Sequence, residues 1–127
     1  MSQSCCVDEK NTIVVACSGA SNLGQISNAV AVKIQEQHMG QMTCLAALGA
    51  RVDSYIKAVS YGELVVIDGC PFACAQKVVE GLDIQQYTYF DISKLLPDLA
   101  KGKRYDQVEA ESDKVLEMIK AQIYEVA

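Results

Sequence analysis

Apolar residues in this chain alternate between short continuous runs and longer stretches at helical spacing. Thr12-Ile13-Val14-Val15-Ala16-Cys17 is continuous and rich in β-branched residues, the pattern of a strand covered on both faces. Ser18 to Asn22 then supplies turn and cap chemistry, and Leu23, Ile26, Val30 and Ile34 recur with the period of a helix. A shorter strand is predicted around Met42-Thr43-Cys44-Leu45, and after Gly49 a helix whose apolar face is Val52, Tyr55, Ile56 and Val59. Leu64-Val65-Val66-Ile67 reads as a third strand running into Asp68-Gly69-Cys70-Pro71. Pro71 suits the first turn of the next helix, where its missing N–H costs nothing, and Gly81 suits its end. Tyr87 to Phe90 reads as a fourth strand, and Val108, Val115, Ile119 and Ile123 mark a closing helix behind a capping pair, Asp106 and Glu109.

Strands alternating with helices predict right-handed crossovers and parallel pairing. The expected fold is a single α/β domain, a three-layer α/β/α sandwich with a mostly parallel sheet of about four strands. It occupies residues 12–127, with residues 1–11 as an N-terminal tail. The length of 127 residues agrees with one domain.

This topology gives the cysteines their meaning. Cys17 closes the first run, Cys44 the second, and Cys70 and Cys74 follow the third, so all four are expected at the carboxyl edge of the sheet, where ligands of open α/β folds gather. Thiolate is a preferred donor for Zn²⁺, and a closed Cys₄ set is a usual structural zinc site. Four thiolates around Zn²⁺ carry a net charge of −2. Backbone N–H groups of Ser18-Gly19-Ala20 and the start of the helix holding Cys74 are expected to offset it. Gly19 and Gly69 are expected to let the backbone approach closely. Asp68 has two readings: it orients a ligand or acts on a bound water, or it caps the following turn. Cys5 and Cys6 have two readings: they lie in a disordered tail, or, since about ten residues span roughly 30 Å when extended, they reach the same edge as additional ligands. The same cysteines are compatible with an iron–sulfur cluster, or with a reactive thiolate at Cys17 or Cys70, and a plain packing role is the third alternative.

The other chemistry is weaker. A formal net charge of −5 argues against nucleic acid, and Lys101-Gly102-Lys103-Arg104 reads as a solvated loop. No run approaches the roughly 18 apolar residues of a membrane span, and the amino end lacks the form of a signal peptide, so a cytoplasmic protein with reduced thiols is expected. Gly19 to Gly24 does not form a dinucleotide loop, and Leu23 stands where a tyrosine-phosphatase cradle requires arginine. His38 reads as an exposed loop residue, Met39 and Met42 as packing. No substrate or reaction is readable, and a protein partner is left open.

Cys17-Ser18-Gly19 with Gly24, Gln25 and Asn28, then Cys44, then Asp68-Gly69-Cys70-Pro71 and Cys74, resembles the DGC family of small zinc-binding proteins, named for the Asp-Gly-Cys tripeptide. The resemblance spans the first strand to the fourth. It implies zinc on Cys17, Cys44, Cys70 and Cys74, and it implies no established reaction.

Overall fold

The structure is a computed structural model that describes residues 11–123. The strands are β1 (Thr12–Ala16), β2 (Gln41–Met42), β3 (Glu63–Asp68) and β4 (Thr88–Asp91). All pair in parallel, in the order β2-β1-β3-β4. Among the described residues there are six helices: α1 (Asn22–Glu36), α2 (Leu45–Gly49), α3 (Asp53–Ala58), α4 (Cys74–Gly81), α5 (Ile92–Leu95) and α6 (Val108–Ile123). The single α/β domain predicted from the run pattern is the one observed.

The side-chain alternation of the two central strands splits the core in two. Val14 and Ala16 of β1 with Val65 and Ile67 of β3 pack under α1, α5 and α6, against Leu23, Ile26, Val30, Ile34, Val115 and Ile119. Ile13 and Val15 with Leu64 and Val66 face the other way, against Leu48, Val59, Ala75 and Val79. Burial on both faces is why β1 and β3 read as unbroken apolar runs. Met39 and Met42 pack at the margin of the first cluster, and His38 is exposed with a left-handed backbone just past α1. Lys33 ties α1 to α6 through Glu109 at 2.5 Å and Asp113 at 3.1 Å.

Three local expectations are corrected. The second strand stops at Met42, and Cys44 instead occupies the N-cap position of α2, because Leu45 to Leu48 spaces its apolar residues for a helix that seats Leu48 in the core. Beyond Gly49, the expected apolar face is only half realised: Val59 is buried and Ile56 packs against the second cluster, but Val52 and Tyr55 are about 40% exposed and α3 itself buries none of its residues. Pro71 does not open α4. It lies in a turn closed by Ala73 N–H donating to the Cys70 carbonyl at 3.0 Å, and Ala73 is left-handed with φ 55°, so the helix begins only at Cys74. Proline is well suited to the second position of such a turn.

Candidate metal centre

Each cysteine is delivered by a strand end. Cys17 extends the β1 ladder by one bond, donating its N–H to the Ile67 carbonyl at 2.9 Å, and its side chain is half-buried. Cys70 lies two residues beyond β3, also half-buried, while Cys74 is the exposed first residue of α4 and Cys44 is exposed ahead of α2. All four are free thiols. Cys5 and Cys6 lie outside the described residues.

Around Cys17 the backbone is packed against itself. A Cβ on Gly24 would fall 2.7 Å from the Gly19 nitrogen, and one on Gly69 would fall 2.6 Å from the Gly24 nitrogen. The loop after β1, the first turn of α1 and the Asp-Gly-Cys turn therefore touch main chain to main chain, which only glycine permits. The backbone of Gly19 and of Gly69 favours the Cys17 thiolate. Burial nonetheless holds the Cys17 thiol above its ordinary pKa, with the Asp68 carboxylate and Cys74 adding to the rise against that backbone effect. Among the described residues no three Cys, His, Asp or Glu side chains converge closely enough to hold a metal ion as they stand.

Asp68 caps α4 from the end of β3. It is buried, and its Oδ1 accepts from Ala75 N–H at 2.8 Å while Oδ2 accepts from Gln76 N–H at 2.9 Å and the Tyr89 hydroxyl at 2.9 Å. A fixed carboxylate thus sits on the helix N-terminus that was expected to offset thiolate charge.

The segment read as a solvated loop is exposed from Lys101 to Arg104, and it brings one cation near the cysteines. Lys101 Nζ lies 3.5 Å from Cys70 Sγ and 4.5 Å above the centre of the Phe72 ring. Lysine is a weak sequence signal, and this contact joins residues 31 positions apart.

These observations carry a pH dependence. The Tyr89 phenol, like the Cys17 thiol, is held above its ordinary pKa, chiefly by burial and next by its hydrogen bond to Asp68. The unfolded chain ionises both groups at lower pH than the folded one does. Their contribution to stability is therefore complete below about pH 8.5 and declines as pH rises toward the folded values. The urea midpoint of reduced, chelator-treated protein is expected to fall between about pH 7.5 and about pH 10.5; a midpoint that holds or rises would contradict the assignment.

The fold and this edge define a class: a parallel α/β domain with free cysteines on the loops that leave its strands. The chain belongs to the DGC domain family, whose match covers residues 13–119. The anaerobic and virulence modulator AnvM of Pseudomonas aeruginosa is 31% identical to it over 70 residues, 54% of this chain and 53% of AnvM. The chain spans about half the length of this curated relative. No solved structure matches the chain. Among the described residues no helix is long and apolar enough to cross a membrane.

Proposed function

We propose that this protein binds one Zn²⁺ through Cys17, Cys44, Cys70 and Cys74 and serves as a metal-dependent modulator or accessory protein. The observation that carries the reading is that four free thiols lie on the segments that follow β1, β2 and β3, with the backbone of Gly19 and Gly69 favouring the Cys17 thiolate. Donors of this kind, all sulfur and without histidine, match the preference of structural zinc. Bound zinc would cross-link the loops after β1, β2 and β3. Binding must release the Cys17 proton that burial retains, so uptake is accompanied by proton release and weakens as pH falls. A modulating role takes its support from the name of AnvM, an anaerobic and virulence modulator.

Metal analysis with an absorbance spectrum, on protein purified anaerobically without a histidine tag, tests the reading. About one zinc per chain and no visible band is the expected result. Replacing any one of the four cysteines by serine should lower the zinc content. Retained zinc after Cys44→Ser would remove Cys44 from the set, and retention with both Cys5 and Cys6 replaced would leave the tail out of it. Iron with a broad visible band would replace zinc by an iron–sulfur cluster on the same residues. Because both core clusters lie on the faces of the sheet, chelation is expected to loosen the edge loops while the domain stays folded; global unfolding by a mild chelator would contradict this.

A further inference from the structure

The segment between α5 and α6 is fastened across the cysteine edge by one residue. Asn22, the first residue of α1 and only 7% exposed, donates its N–H to the Gly102 carbonyl at 2.7 Å and its side-chain amide to the Ala100 carbonyl at 2.9 Å. Its Oδ1 accepts from Gly102 N–H at 2.9 Å. These three bonds grip the backbone on both sides of Lys101. Tyr105 adds a fourth, donating its hydroxyl to the Ala20 carbonyl at 2.5 Å. The loop is exposed, yet this buried asparagine, whose Oδ1 also accepts from Leu23 N–H at 2.9 Å, fixes its backbone. What the clasp accomplishes is to set the Lys101 ammonium beside Cys70 Sγ and over the Phe72 ring.

The charges on this edge explain why a cation belongs there. Zn²⁺ with four thiolates carries −2, and Asp68 adds a buried negative charge whose hydrogen bonds engage the start of α4. The backbone of Gly19 and Gly69 favours the Cys17 thiolate, whereas the Lys101 contact is made with Cys70.

We propose that Lys101, clasped in place by Asn22, is a positioning and charge-compensating residue of the cysteine site, donating an N–H···S hydrogen bond to Cys70 in the metal-loaded protein. This rests on the zinc reading above and names a member of the site that supplies no ligand atom. Groups in that position commonly govern metal affinity by about 10- to 100-fold.

The test compares wild type with Lys101→Met, Lys101→Arg and Lys103→Met. Lys103 is an exposed neighbour on the same loop, so its replacement removes the same charge from the chain without touching the Cys70 contact. Zn²⁺ affinity is measured by competition with a chromophoric chelator at low and high salt. Lys101→Met is expected to bind about tenfold more weakly and to lose most of the salt dependence, while Lys103→Met and Lys101→Arg stay near wild type. Equal affinities for Lys101→Met and Lys103→Met would overturn the proposal.

A second arm does not depend on zinc. Reduced, chelator-treated protein is exposed to o-phthalaldehyde, which joins an amine and a thiol held side by side as a fluorescent isoindole, and the product is mapped by mass spectrometry. A Lys101–Cys70 link in wild type and Lys103→Met, absent from Lys101→Met, is expected. Failure of wild type to form that link overturns the proposal even if zinc binds. Formation of the link with no zinc uptake leaves the pairing standing and sinks the metal reading alone.

Discussion

Gly69→Ala is expected to destabilise the domain by about 3 kcal/mol or more and to lower its melting temperature sharply. The added methyl would lie 2.6 Å from the Gly24 nitrogen and the Leu23 carbonyl carbon and 2.7 Å from the Leu23 oxygen. Those atoms are the main chain of the first turn of α1, and they cannot rotate away as a side-chain tip would. Nor can the helix retreat. Leu23 and Ile26 are buried against the sheet, and Ser27 Oγ donates to the Ile67 carbonyl at 3.0 Å, pinning α1 to the end of β3. Overpacking a core costs about 1–3 kcal/mol where side chains can adjust, and a main-chain clash belongs at or above the top of that range. Against a total stability of about 5–15 kcal/mol that is a large fraction. The requirement is one of space, since no described glycine has a positive φ. Gly81→Ala is the control, because a methyl there meets nothing within 4 Å and the residue closes a helix. Thermal melts of the two variants decide it: a Gly69→Ala protein melting within a few degrees of wild type would show that the contact relaxes cheaply.

The same contact shows how much of this molecule was legible in its sequence. Buried strands announce themselves by unbroken apolar runs, so β1 and β3 were predictable, and with them the edge on which Cys17, Asp68, Cys70 and Cys74 sit. The helical face of α1 was read correctly because all four of its predicted apolar positions bury. Short elements were not legible in this way. Leu45 to Leu48 offers too few residues to separate a strand end from one turn of helix, and α5 is a single turn continuing directly from β4. Distance in sequence hid the rest. Nothing in Lys101-Gly102-Lys103-Arg104 reveals that Asn22 holds its backbone from 80 residues away. Local patterns report periodicity and caps, whereas a clasp of this kind exists only once the sheet has set α1 beside the returning loop.

Asp68→Ala is expected to destabilise the domain by about 3 kcal/mol or more, because three neutral donors lose their acceptor and each costs about 1–3 kcal/mol if left unsatisfied. The carboxylate is 1% exposed and has three donors, so its loss leaves the Ala75 and Gln76 N–H groups and the Tyr89 hydroxyl without their acceptor. Asp68→Asn keeps the shape but turns an NH₂ group toward at least one donor, and should lose about 2 kcal/mol. Tyr89→Phe deletes one bond to a charged acceptor and should lose about 1.5 kcal/mol. Combining Tyr89→Phe with Asp68→Ala should cost less than the sum, because both changes break the same bond. Hydrogen exchange adds the local readout: the Ala75 and Gln76 amides should exchange faster than the α4 interior in Asp68→Ala, since they lie in the turn that Asp68 ties to β3. Cys74 opens that turn, so the thiol most dependent on the tie is one of the proposed ligands. An Asp68→Ala protein that melts like wild type with unchanged amide exchange would mean that water replaces the carboxylate at no cost, and the aspartate of the Asp-Gly-Cys turn would then need a role in ligand chemistry instead of in holding the helix.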